Sequence, residues 1–174
     1  MIIRKYNITL KPVEEEDAEF IIKLRTDDKK SRFISKTNDD IELQKGWIRS
    51  YKKREAVKEE FYFIATDENG ERFATYRVYN FEDDICEIGS WVSKPNYNNA
   101  VNSIKVDIIM KEFVFETLQF EQLKFEVNKK NTSVIKYHKL FTPDIVNETT
   151  ENYFFVLHKE NFEKKRKQIF RNIK

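Results

Sequence analysis

Two spacings of apolar residues alternate along this chain, one suited to helices and one to strands. Residues 2–13, IIRKYNITLKPV, predict a strand that ends at Pro12. In residues 14–27, EEEDAEFIIKLRTD, acids fill the first turn, and Phe20, Ile21 and Leu24 recur at helical spacing. A second helix is predicted over DIELQKGWIRSYKKR, with Ile41, Trp47, Ile48 and Tyr51 apolar and Asn38 or Asp39 as its cap. The period then changes. EFYFIAT, RFATYRVYN and ICEIGSWVS are successive runs rich in β-branched and aromatic residues, which predicts three strands. DENG joins the first two, and Asn69-Gly70 within it is a hairpin-turn signal. Beyond Pro95 and an asparagine-rich loop, Val101, Ile104, Ile108, Phe115 and Leu118 mark one stripe of a long helix. QLKFEV predicts a strand, TSVIKYHKLF a helix, ENYFFVL a last strand and residues 159–174 a basic amphipathic helix; a further short strand fits near Ile145.

Three antiparallel strands feeding a helix that crosses to another strand predict an α/β (α+β) fold. Its sheet is mixed and mostly antiparallel, with helices on both faces. No repeat, linker or composition break divides the chain, so residues 1–174 are expected to form a single domain.

Composition narrows the partners. Thirty-two basic residues against thirty acidic ones leave a net charge of +2, which gives no electrostatic reason to expect nucleic acid. No stretch reaches the length of a membrane span and the N-terminus has no sustained apolar core, so the expectation is a cytoplasmic protein with no membrane partner. One cysteine, Cys86, and two histidines, His138 and His158, are too few for the usual zinc ligand sets, and no metal site is expected. Cys86 reads as a small core residue.

Element order and local motifs together resemble the GNAT superfamily of acyl-CoA-dependent N-acetyltransferases over nearly the whole chain. ITLKPVEEEDAEFIIKLRTD is similar to the opening strand and helix of the branch containing ribosomal-protein N-terminal acetyltransferases. EIGSWVSKP resembles the superfamily's central strand leading into its pyrophosphate loop, and NTSVIKYHKLF its second cofactor motif. The resemblance implies acetyl-CoA as co-substrate and a primary amine on a small molecule as acceptor. It implies cofactor contacts from Asn98, Asn99, Ala100, Val101, Asn102 and Ser103, and from Asn131 as helix cap and pantetheine contact. Backbone amides near Trp91 and Val92 would form an oxyanion hole. The loop departs from the family pattern, because both of its glycines are absent. Asparagine tolerates left-handed dihedrals, so Asn96, Asn98 and Asn99 are candidates to shape the turn, whereas β-branched Val101 resists them.

Acetyl transfer to an amine needs a proton acceptor and a donor for the departing thiolate. Strict alternation puts Glu87, Gly89, Trp91 and Ser93 on one face of the central strand and Cys86, Ile88, Ser90 and Val92 on the other. Glu87 is the candidate base, with Glu126 on the neighbouring strand as its competitor. The family commonly places a tyrosine seven residues after the motif asparagine; counted from Asn131, that position is His138. An imidazole suits proton transfer near neutral pH. Tyr137 takes the role if the helix begins later, since one residue turns a helical side chain by about 100°.

The acceptor region by resemblance comprises Arg25, Phe33 and Trp47, with Trp91 as a wall. Arg25, Arg32 and Lys36 are candidates to pair with phosphates. The segment from Val134 to Phe162 resembles amino-sugar acetyltransferases of surface-glycan pathways, which implies a nucleotide-linked amino-deoxysugar. Acetylation of a protein N-terminus, or a non-catalytic binding module of the same fold, stays open as an alternative, and so does the choice between monomer and homodimer.

Overall fold

The computed structural model describes residues 1–27, 33–34 and 36–172. The first apolar run is a hairpin rather than one strand. β1 (Ile3–Lys5) and β2 (Ile8–Pro12) pair antiparallel around Tyr6 and Asn7, both of which take positive φ (55° and 65°). Consecutive left-handed residues match the twist of a two-residue hairpin, and asparagine tolerates that region best after glycine.

A short 3₁₀ turn leads into α1 (Ala18–Arg25), and α2 is Ile41–Ala56. Its cap is Asp40, whose carboxylate accepts the Leu43 N–H at 3.0 Å, one residue beyond the predicted Asp39. Then follow β3 (Phe61–Thr66), β4 (Arg72–Glu82) and β5 (Ile85–Ser93) as an antiparallel meander. The β3–β4 turn puts only Gly70 left-handed (φ 81°), with Asp67 accepting the N–H groups of Asn69 and Glu71. α3 (Ala100–Glu112) widens into a π-helical turn over Phe113–Thr117. β6 (Gln122–Asn128), α4 (Thr132–Lys139), β7 (Asp144–Glu148), β8 (Asn152–His158) and α5 (Lys159–Asn172) complete the chain.

Among the described residues the strands form one eight-stranded sheet in the order β1-β2-β3-β4-β5-β6-β8-β7, parallel only between β5 and β6. Alternation along β3 divides the core. Phe61, Phe63 and Ala65 pack with the buried faces of α3, α4 and α5, while Tyr62 and Ile64 join Val13, Ala18, Ile21, Ile48 and Tyr51 beneath α1 and α2. Tyr51 locks that second layer: its hydroxyl accepts the Tyr62 N–H at 2.9 Å and donates to the Tyr62 carbonyl at 3.2 Å. α3 is buried on nearly every side from Val106 to Glu112, so its apolar stripe is broader than the single row predicted.

Candidate active site

Two departures from regular sheet geometry create the site. The parallel pairing of β5 with β6 covers only Ile85–Gln122, Cys86–Leu123 and Glu87–Lys124; beyond it β5 runs on to Ser93 with no pairing on that side. Within the same stretch β5 carries a bulge. Arg77 pairs with Gly89 and Thr75 with Val92, so two steps on β4 span three on β5, and Ser90 has φ 52°. The Thr75 hydroxyl donates to the Ser90 carbonyl at 2.9 Å, which satisfies a group the bulge would otherwise strand.

The inserted residue reverses the alternation expected from the sequence. Glu87 and Gly89 face the α1–α2 side, but Trp91 and Ser93 face the α3 side with Cys86 and Ile88. Trp91 packs 5.9 Å from the Tyr76 ring and 5.7 Å from those of both Tyr137 and His138. It is therefore absent from the cleft wall where an acceptor-binding tryptophan was expected. The Cys86 thiol, buried in that core, is pushed up to about 12 by burial.

On the α3 side, His138 spans the diverging strands. Its ring lies 4.4 Å from Phe125 of β6 and 5.7 Å from Trp91 of β5. Both His138 Nδ1 and Trp91 Nε1 are buried without a hydrogen-bond partner among the described residues. Burial, with Lys111 nearby, drives the imidazole pKa down to about 3, against a smaller opposing pull from Asp107, so the ring is neutral well below pH 6. It does not titrate near neutrality as its residue type suggested. Tyr137 points instead to Asp107, donating to Oδ2 at 2.6 Å, and the Tyr76 hydroxyl donates to the other carboxylate oxygen. Burial opposes charge on Asp107, but the Lys111 ammonium and the hydrogen bonds from Lys111 and Tyr137 outweigh it and hold the carboxyl below the usual range.

The loop before α3 gets its shape without glycine. Pro95 and Asn96 form a turn closed by the Tyr97 N–H on the Lys94 carbonyl at 3.2 Å, with Asn96 left-handed at φ 60°. Tyr97 stacks 4.3 Å from Phe73 and accepts from Asn102 Nδ2 at 2.7 Å. Asn99 caps α3 through the Asn102 N–H at 3.1 Å, and Ser103 Oγ shares a hydrogen bond with Ser93 Oγ at 2.9 Å. Val101 sits in the first helical turn with Ala100, where its branching raises no objection; Asn98 and Asn99 do not take positive φ. The head of α3 thus stands next to the end of β5, with Asn98, Asn99, Ala100 and Val101 exposed. Asn131 occupies the cap position of α4, yet its side chain makes no capping bond.

On the α1–α2 side lies a cleft of about 460 Å³, a volume in the range of small-molecule sites. Arg25, Phe33 and Trp47, all expected there, line it, as do Lys36, Arg77, Tyr79, Ser90 and Glu126. Arg32 lies outside the described residues. Arg25 Nε donates to Thr37 Oγ1 at 2.6 Å and Nη1 to Ser90 Oγ at 3.0 Å, tying α1 to the bulge. The Arg77 guanidinium sits 5.0 Å from the Trp47 ring and 4.3 Å from that of Tyr79, anchored from below by buried Glu60, which also accepts from Arg54 at 2.6 Å. Glu87 is held at both oxygens, Oε1 by the Tyr79 hydroxyl at 2.8 Å and Oε2 by Asn80 Nδ2 at 3.0 Å. Glu126 is exposed at the cleft edge and accepts from Asn152 Nδ2 at 3.3 Å. Sequence reasoning missed Arg77 and Tyr79. Their alternation along β4 with Val78 was visible, but the helix layer they face was not.

Together the unpaired edge of β5, the two orphaned polar atoms beside it and the exposed head of α3 suit an extended thioester co-substrate with an anionic end. Residues 7–139 match a family model described as an acetyltransferase (GNAT) domain. The unliganded structure of FdhC, a nucleotide-linked sugar GNAT, has a TM-score of 0.87 at 33% identity, covering 100% of this chain and 99% of that one. Two further structures resemble the chain in fold alone. The ribosomal-protein-S5-alanine acetyltransferase of Vibrio fischeri has a TM-score of 0.78 at 11% identity, covering 92% of this chain and 97% of its own. The spermidine N-acetyltransferase of Vibrio cholerae, in complex with CoA and spermine, has 0.77 at 12%, with 91% and 99% covered. No curated protein matches the chain. With three quarters of its length matched by the family model and a full-length relative at 33% identity, the chain belongs to the GNAT family and is an acetyl-CoA-dependent acetyltransferase.

Proposed function

We propose that the protein transfers the acetyl group to the amine of a nucleotide-linked amino-deoxysugar held in the α1–α2 cleft. The observation that carries this reading is the cleft's lining. Arg25, Lys36 and Arg77 face it against one carboxylate, Glu126, among the described residues, and Trp47 and Tyr79 add aromatic surface. Cationic side chains pair with a diphosphate, and aromatic faces suit a base or sugar ring. A polycationic acceptor would meet the same charges as repulsion. The resemblance to a nucleotide-linked sugar GNAT at 33% identity supports the same acceptor class. Such a reaction draws on cytoplasmic substrates.

Bound acetyl-CoA supplies an activated acyl group as a thioester. The chain's own residues do the rest. The exposed head of α3, from Asn98 to Val101 with the Ser103 hydroxyl behind it, offers N–H groups and a positive helix end to the pyrophosphate. The side-chain amide of Asn131, which makes no capping bond, is available to the pantetheine arm. Backbone N–H groups around Trp91 and Val92, on the stretch of β5 that leaves β6, face the carbonyl whose oxygen gains charge. Glu87 accepts the amine's proton. His138, neutral and with Nδ1 unpartnered, donates a hydrogen bond to the leaving sulfur; the Tyr137 hydroxyl is already given to Asp107.

The test is to incubate the protein with acetyl-CoA and a nucleotide-linked amino-deoxysugar, following thiol release and the mass of the sugar. The expected result is one acetyl group gained on the sugar amine, with much slower release from the same sugar lacking its nucleotide. Acetylation of peptide N-termini with none of the nucleotide-linked sugar would overturn the reading.

A further inference from the structure

We infer that Tyr79 is a catalytic residue, the cleft-facing group through which the acceptor amine's proton reaches Glu87. The inference rests on the reading of Glu87 as proton acceptor and adds the path to it. Tyr79 lines the cleft and Glu87 does not. The phenol stands between them, with its oxygen 2.8 Å from Glu87 Oε1. The two residues are direct cross-strand partners on β4 and β5, so their side chains leave the sheet on the same face.

The position of the phenol is determined from both sides. A Cβ on Gly89 would fall 2.8 Å from the Tyr79 oxygen and 3.2 Å from Cε1, so the phenol keeps this position only while the strand residue beneath it carries no side chain. The Arg77 guanidinium covers the ring at 4.3 Å. Asn80 holds the far oxygen of Glu87 at 3.0 Å, which leaves Oε1 turned to the phenol. Ser90, next along the strand, is the bulge residue at the divergence of β5 from β6 and also lines the cleft. A tyrosine hydroxyl both accepts and donates, which a relay requires.

The step balances without any other reactant. An N–H bond of the acceptor ammonium breaks and its proton bonds to Tyr79 Oη. The phenol's own proton passes to Glu87 Oε1, leaving tyrosine neutral, the carboxylate protonated and the amine free to attack. The reverse path returns the proton to solvent after product release. Burial raises the phenol's pKa, and the Glu87 hydrogen bond and charge raise it further, so the hydroxyl keeps its proton; Glu126 of β6 adds to this and Arg77 of β4 opposes it. From α1, Arg25 reaches the neighbouring Ser90, and Lys36 lines the same cleft.

The experiment compares Tyr79→Phe, Glu87→Gln and the double variant on whichever amine the wild type acetylates fastest. Each single substitution is expected to lower kcat about 100-fold with little change in KM, and the double variant to be no slower than the slower single one. The deficit of Tyr79→Phe should close as pH rises through the acceptor's own pKa, because a neutral amine has no proton to give up before attack. Gly89→Ala, which displaces the phenol without altering Glu87, should show the same pH-dependent deficit. If Glu87→Gln is impaired and Tyr79→Phe keeps wild-type kcat, the relay is overturned while Glu87 stands as base. If Glu87→Gln is unimpaired, both readings fall together. A Tyr79→Phe deficit that is constant with pH would assign the residue to structure and overturn the relay.

Discussion

The Tyr137 hydroxyl donates to Asp107 Oδ2 at 2.6 Å, and through that bond α4 is set against α3. Asp107 also takes the Tyr76 hydroxyl from β4 and pairs with Lys111 one turn along α3, so three elements meet at one buried carboxylate. Lys111 is fully buried among the rings of Phe141, Tyr137 and Phe125. Removing only the acid leaves an unpaired ammonium in the core. Asp107→Asn should therefore cost roughly 3–5 kcal/mol of stability. Adding Lys111→Met to it should recover part of that loss, since no buried charge then remains. Denaturant melts of both variants check this; equal destabilisation by the single and double substitutions would contradict it.

His138 makes stability depend on pH in a direction that can be worked out. Its folded pKa is about 3 against 6.5 in the unfolded chain, so between these values only the unfolded state binds the proton. Its contribution is fully present above pH 6.5 and falls by about 1.4 kcal/mol for each pH unit below that, down to the folded pKa. His138→Phe has no such group. The difference in unfolding free energy between wild type and His138→Phe, measured from pH 7 to pH 4, should shift against the wild type as the solution is acidified. A difference that does not change with pH would contradict the buried, neutral imidazole.

Arg25 uses two nitrogens in fixed directions, Nε to Thr37 and Nη1 to Ser90. A lysine cannot reproduce that fork. Both Arg25→Ala and Arg25→Lys should raise the acceptor KM about tenfold, the scale of one charge-assisted hydrogen bond. Steady-state kinetics at saturating acetyl-CoA check it, and full rescue by lysine would show that charge alone matters.

Asn96 carries the left-handed corner of the loop that enters α3. Asn96→Gly should leave acetyl-CoA affinity intact, whereas Asn96→Val should weaken it and cost about 1–2 kcal/mol of stability, because a β-branched residue resists that conformation. Calorimetric titration of the two variants distinguishes them; equal affinity would mean the turn's shape is irrelevant to the co-substrate.

The sequence carried most of the element order, because runs such as EFYFIAT and ICEIGSWVS switch clearly from helical to strand period. It also pointed to Arg25, Phe33 and Trp47, which the structure brings into one cleft. What it hid were single-residue changes in backbone conformation. Ser90 gives no compositional sign of a bulge, yet its positive φ moves Trp91 to the opposite face from Glu87. Tyr6 and Asn7 turn an apparent strand into a hairpin in the same way. Burial was equally invisible: the pKa of His138 depends on Phe125, Trp91 and Lys111, which lie far from it in sequence. Tyr79 looked like an ordinary strand residue because its cross-strand partner, Glu87, and the glycine beneath its ring, Gly89, are brought to it only by the register of β4 on β5.

The most direct measurement is a crystal structure of the protein with CoA and an N-acetylated nucleotide-linked amino-deoxysugar. The sugar nucleotide is expected in the α1–α2 cleft, with its phosphates within reach of Arg25 or Arg77 and its acetamido group over Ser90 beside Tyr79. CoA should lie along the open edge of β5 with its pyrophosphate at the head of α3. A sugar nucleotide bound elsewhere, with the cleft empty, would contradict it.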